Sequence, residues 1–180
     1  ISPQLLALPE VRAHSGKDGV VRGQLAWDWN QHTLTADLAV ERIDPQQLDT
    51  RLQSAAISGK IELTGDAEKQ SARIDLRDRS LRLTAGITHD TGELILEQFN
   101  LQRNRSRLTG QGKLQLTGEQ IFDVSAALID FNSADFIQTA DSSLNATLQV
   151  SGQLLPVVTG TLKYTIQKSR LAKSPVNGSG

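Results

Sequence analysis

The chain has 180 residues, with 19 basic and 20 acidic side chains, three histidines, and neither Cys nor Met. The missing cysteine excludes disulfides and thiol chemistry. The balanced charge, with no block of one sign, argues against a nucleic-acid partner and against a polybasic membrane-surface segment. Apolar residues make up 38% and aromatics only 4%, which is enough to coat one face of a sheet and thin for a layered globule.

No apolar run approaches the ~20 residues of a spanning helix, and no charged-then-apolar leader opens the chain. Because the chain begins at Ile1 and lacks Met, residues 1–180 are expected to be a segment of a larger repetitive β-domain.

In chain order the dominant period is two. "GQLAWDW" sets Leu25, Trp27 and Trp29 on one face, and the two tryptophans are expected in the core. "TLTADLAV" alternates Leu34, Ala36, Leu38 and Val40 with polar residues. "GKIELTG", "ARIDLRD" and "SLRLTAG" follow with Ile61 and Leu63, Ile74 and Leu76, and Leu81, Leu83 and Ala85. "GKLQLTG" gives Leu114 and Leu116, and "FDVSAAL" gives Phe122, Val124, Ala126 and Leu128. "SLNATLQVSG" and "GTLKYTI" close the series with Leu144, Ala146, Leu148 and Val150, then Leu162, Tyr164 and Ile166. Strict alternation reads as half-buried antiparallel strands, and the Gly, Asn and Asp clusters between the runs read as hairpin turns. About ten strands are expected.

Two short stretches break the alternation. In "IDPQQL", Asp44 reads as an N-cap and Pro45 as the first helical residue, with Ile43 and Leu48 as a hydrophobic staple. "FNSADF" repeats the device, with Asn132 as the cap and Phe131 and Phe136 as the staple. Each is expected to connect hairpins. "ISGKIELTG" and "LNATLQVSG", and further upstream "GQLAW" and "GKLQL", recur at nearly the same offset. The chain therefore divides into approximate repeats 23–111 and 112–180, the second incomplete, as in arrays whose units cannot bury their own apolar face.

Catalytic motifs are missing. His14, His32 and His89 lie far apart and are expected in surface or turn positions, without metal-ligand spacing. No "GxSxG" elbow anchors a hydrolase triad. "GQGKLQLTG" reads as a strand and not as a phosphate loop. Asp75, Asp78 and Asp90 read as the solvated side of strands and turns. No enzymatic activity, cofactor or metal is expected. The remaining feature is a long aliphatic face without helices to cover it. Such a face either packs on itself or stays open as a binding wall, and its chemistry suits acyl chains better than bases or sugars.

Four stretches carry a resemblance. "GQLAWDW…LTADLAVERIDPQQL", "ISGKIELTG", "SRLTGQGKLQLTGEQIFDVSAALIDFNSADF" and "SRLAKSPVNGSG", taken in that order from about Gly19 to Gly180, resemble the repetitive region of the TamB family, within the AsmA-like envelope proteins of Gram-negative bacteria. The second repeat departs from the pattern with Asn132-Ser133 in place of Asp-Pro. The resemblance implies an all-β, elongated and curved antiparallel sheet forming a groove with an apolar interior and one or two short helical turns. It implies the periplasmic part of an inner-membrane-anchored protein acting in outer-membrane biogenesis. The implied partners are phospholipid acyl chains, an outer-membrane Omp85-type barrel (TamA-like) and unfolded outer-membrane proteins.

In that setting the expected groove lining is Leu34, Leu38, Ile61, Leu63, Ile74, Leu76, Leu114, Leu116, Leu148 and Val150. Two alternatives stand beside the lipid conduit. One is a chaperone that holds outer-membrane proteins by β-augmentation. The other is a closed structural or adhesin-like β-module.

Overall fold

The structure, a computed structural model, describes residues 5–180. Twelve strands form one antiparallel sheet in strict sequence order. They are β1 (Leu5–Ser15), β2 (Gly19–Asp28), β3 (Thr33–Ile43), β4 (Ile57–Gly65), β5 (Lys69–Arg77) and β6 (Leu81–Asp90). β7 (Glu93–Arg103), β8 (Ser106–Gln115), β9 (Ile121–Phe131), β10 (Ser142–Gln153), β11 (Thr159–Leu171) and β12 (Ser174–Ser179) complete it. Two three-residue 3-10 turns, Pro45–Gln47 and Ser133–Asp135, are the only helical elements among the described residues. The sheet is open, with β1 and β12 at its free edges. At ~4.8 Å per strand its contour is about 53 Å.

The expected strands are present, and three more join them. β1 and β7 escape the period-two reading because each carries a bulge in mid-strand, and β12, Ser174–Ser179, has Val176 as its one large apolar residue. In β7 the inward residues are Leu94 and Leu96, then Phe99 and Leu101, with a bulge against β6 and β8 between them. A bulge adds one residue and reverses the parity of everything after it. Glu97 is the extra residue, and its carboxylate accepts from Thr88 Oγ1 at 2.6 Å.

The two irregular stretches are built alike. At the first, Arg42 takes a left-handed φ of 49°, its N–H donates to Ser58 Oγ at 3.0 Å, and Ile43 returns to the inner face. At the second, Asp130 takes a φ of 45°, its N–H donates to Asn145 Oδ1 at 2.9 Å, and Phe131 returns inward. The cap follows in each case. Asp44 accepts from the N–H of Gln46 at 3.1 Å and of Ala55 at 3.2 Å. Asn132 accepts from the N–H of Ala134 at 3.2 Å and of Ser142 at 2.8 Å.

The loops leaving these corners meet. Leu52 and Ile137 form an isolated antiparallel bridge, with Gln53 N–H donating to Phe136 O at 2.8 Å and Gln138 N–H donating to Arg51 O at 2.9 Å. The Gln53 and Gln138 side chains donate to Ala134 O at 3.1 Å and Thr50 O at 3.0 Å. A strap thus links the β3–β4 connection to the β9–β10 connection. It draws the intervening strands into a curve at that end.

Little of the sheet is covered. The chain exposes 12071 Å², whereas a compact monomer of 19.6 kDa exposes about 8,600 Å². The only buried apolar residues among the described residues are Ala36, Val40, Leu81 and Ala146, each still 6–8% exposed.

Candidate functional site

Strand register sorts the side chains into rows across the sheet, because cross-strand partners share a face. One row runs Leu8, Leu25, Ala36, Leu63, Ala72, Ile87, Leu96, Gly112, Val124, Val150, Leu162. The next runs Val11, Gly23, Leu38, Ile61, Ile74, Ala85, Phe99, Gly110, Ala126, Leu148, Tyr164. A third begins Ala13, Val21, Val40, Gly59, Leu76 and continues Leu83, Leu101, Leu108, Leu128, Ala146, Ile166. The bulges keep these rows aligned where the sequence changes parity. The result is an aliphatic face continuous over eleven strands.

The expected lining residues fall on this face as follows. Leu38, Ile61 and Ile74 are direct neighbours, with Leu148 in the same row. Leu63 and Val150 share the adjacent row, and Leu76 lies in the third. Leu34 and Leu114 belong to a fourth row near the strand ends. Leu116 lies one residue past β8, where its N–H donates to Gly92 O at 2.7 Å and its side chain is 40% exposed. Phe99, Leu101, Leu94 and Leu96 belong to the same face, yet the β7 bulge hides them from a period-two reading.

The fourth row is the polar exception. It runs Trp27, Leu34, Gly65, Gln70, His89, Leu94, Leu114. His89 is therefore an inward-facing strand residue, contrary to the surface or turn position expected for it. Its Nδ1 lies 2.7 Å from Gln70 Oε1, and the Gln70 amide donates to Asp66 O. His32 does occupy a turn, with a φ of 54°, and His14 is exposed. Trp27 faces inward and meets Trp29 edge-on at 5.8 Å. Trp29, past the end of β2, is 51% exposed and so does not join a core as expected.

An apolar recess of about 450 Å³ opens on the inner face, lined by Ile87, Leu94, Leu96, Gly112, Leu114, Phe122, Val124 and Leu154, with Lys113 as its one charged neighbour. Its size falls within the range of small-molecule sites. Gly112 makes room for it. A Cβ there would stand 3.0 Å from Val124 Cγ2 and 3.1 Å from Asp123 O. A larger concavity of about 910 Å³ lies on the other face, along Thr109, Gln111, Ser125, Thr147, Gln149 and Lys163. A twisted sheet is saddle-shaped, so each face is concave along one diagonal. That trough has a mixed lining, with Glu97, Lys163 and several Thr, Ser and Gln beside Ala127 and Leu148, whereas the recess is almost wholly apolar and is the better candidate for holding a hydrocarbon.

The outer face is charged, with opposite charges across most cross-strand neighbours and like charges at Asp37 and Glu62. Glu62 stands opposite Asp37 and Arg73, and Asp75 stands opposite Lys60. Lys69 meets Asp90 at 3.2 Å, and Arg22 meets Glu41. Such exposed pairs contribute little stability. At the rims, burial pushes the Asp44 carboxyl up, but the N–H groups of Ala55 and Gln46 and the Ser54 hydroxyl outweigh it and hold the group below its ordinary range. The Arg51 guanidinium holds Asp49 down at about 2. The Lys69 and Glu68 N–H groups lower Asp66.

Searches against family models, curated proteins and solved structures returned no match. Among the described residues no cluster of three His, Cys, Asp or Glu could hold a metal ion.

Proposed function

We propose that the inner face is a non-enzymatic wall for phospholipid acyl chains, along which they pass in outer-membrane biogenesis. The observation that carries this reading is the set of apolar, mostly aliphatic rows continuous over eleven strands, with no second layer over them among the described residues. Burying one methylene against such a wall is worth about 0.8 kcal/mol and requires no directional bond. A chain can therefore be held by its length and still slide. The strap supports the curved groove at one end, and the resemblance to the TamB family supports a periplasmic setting.

The alternative, β-augmentation of an unfolded outer-membrane protein, needs a receptive sheet edge. Both edges are blunted. β1 carries Pro9 at a register shift, and β12 carries Pro175 with a shift against β11. Proline and irregular register are the usual devices that discourage edge pairing.

The test uses two adjacent residues on opposite faces. The full chain is mixed with vesicles containing a pyrene-labelled phospholipid, and the lipid extracted is measured. Leu63→Asp places an unpaired charge in the path and should lower extraction at least tenfold, whereas Glu62→Lys should leave it unchanged. Undiminished extraction by a folded Leu63→Asp variant would overturn the reading.

A further inference from the structure

The sequence shows no block of positive charge, but the topology assembles one. The β5–β6 and β7–β8 hairpins are adjacent and turn at the same end of the sheet. Arg77 on β5 stands directly opposite Arg82 on β6. The same outer row continues through Gln102 to Arg107. Arg79 and Arg105 occupy the two hairpin tips, and all five arginines are exposed.

Acidic groups offset only part of this charge, because Arg77, Arg79, Arg105 and Arg107 form no salt bridge among the described residues. Arg82 forms an exposed salt bridge with Asp75 at 3.8 Å, too long for a hydrogen bond. Asp78 accepts from the Arg79 backbone N–H, and Asp135 accepts from the neutral Asn104 and Ser106 side chains and from no arginine. Like charges directly opposite each other in a sheet are destabilising. A phosphate between two guanidiniums relieves that repulsion with charge-assisted, bidentate hydrogen bonds.

The neighbourhood narrows the choice of ligand. Ile129 follows Arg107 in the same row and is 47% exposed. On the strap at this end, Leu48 is 73% exposed and Ile137 41% exposed. Arginines beside exposed aliphatic side chains suit a bilayer surface, where phosphates meet hydrocarbon. A single-stranded nucleic acid would require aromatic stacking platforms, and none lie in this patch. The turns at the opposite end, residues 29–32, 66–68, 91–92, 116–120 and 154–158, contain no Lys or Arg at all.

We propose that the Arg77–Arg82–Arg107 row, with the arginines at the two hairpin tips and the aliphatic side chains of the strap, is a docking surface for an anionic phospholipid membrane. It engages the membrane by one end of the sheet only. The docking is independent of whether the inner face carries acyl chains.

The full chain is sedimented with vesicles of phosphatidylglycerol and phosphatidylcholine in equal parts, and with vesicles of phosphatidylcholine alone. Binding is expected to the first and not the second, and to weaken at about 0.5 M salt. The triple variant Arg77→Gln, Arg82→Gln, Arg107→Gln should reduce partitioning at least tenfold. Leu48→Asp should reduce it while leaving the salt dependence intact. Circular dichroism should report an unchanged fold for both, since every altered side chain is exposed. The proposal is overturned if the native chain ignores anionic vesicles or if the triple variant binds them equally well. It is also overturned if a short DNA duplex competes fully at equal charge, since the patch would then be a general polyanion site.

Discussion

The Asp44 corner and the Asn132 corner reach one shape through different chemistry. Both need a left-handed residue at the bulge, an acceptor two residues later and a backbone N–H across the loop to donate to it. They differ at the next position. Ser133 has a backbone N–H, and Ser142 Oγ accepts it at 3.0 Å. Pro45 has no N–H, and the residue placed like Ser142 is Ala55, which has no hydroxyl. Proline at the first corner removes a donor that serine at the second must satisfy. The Asp-Pro pair is thus one of two self-consistent solutions, and the sequence departure at Asn132-Ser133 is compensated at Ser142.

The flanking apolar pairs differ as well. Phe131 and Phe136 stack with centroids 5.2 Å apart and planes 10° apart, as the staple pattern implies. At the first corner Leu48 is 73% exposed, so the expected staple with Ile43 does not form. The turn is three residues long at both corners, so the difference lies in the side chains. Two flat aromatic rings span the gap that Ile and Leu leave open.

Breaking the compensation should have the largest effect on stability. Ser142→Ala strands the Ser133 N–H and should cost about 1–3 kcal/mol. Adding Ser133→Pro should recover most of that loss. Urea unfolding of the four members of this cycle measures the coupling, and simple additivity would contradict the account. Removing each cap is the next test. Asp44→Ala and Asn132→Ala should each lose about 1 kcal/mol, and similar losses would show that the corners are equivalent despite their sequences.

Acid separates them further. Asp44 titrates below its ordinary value of 3.8. Its contribution is present above that value and is lost as the pH falls through the depressed folded pKa. Asn132 does not titrate. Hydrogen exchange between pH 5 and pH 2 should therefore open the 44–55 loop before the 132–142 loop; simultaneous opening would refute the assignment. The smallest effect is expected of Asp44→Asn, which copies the second cap. It should be near neutral at pH 7 and should abolish the acid sensitivity.

Alternation made most of the sheet legible, since Leu34 to Val40 or Leu144 to Val150 can bury one side only as strands. It failed at β1 and β7, where bulges at Leu8/Val11 and Leu96/Phe99 shift the inward set from even to odd numbers. The inner face was legible for the same reason as the strands, apart from Phe99, Leu101 and the His89–Gln70 pair. The arginine patch was not. Its members belong to segments about twenty-five residues apart in sequence, and only the pairing of β6 with β7 brings them together. The strap was also invisible, because its bridge between Leu52 and Ile137 rests on backbone hydrogen bonds without a side-chain pattern.

The central claim is that acyl chains touch one face of the sheet and not the other. Site-specific photo-crosslinking in the intact envelope tests it most directly, with the crosslinker at Ile61 or Leu63 on the inner face and at Lys60 or Glu62 on the outer. Lipid adducts confined to Ile61 and Leu63 are predicted. Adducts with unfolded outer-membrane proteins at those positions, or lipid adducts equally frequent on both faces, would contradict the account.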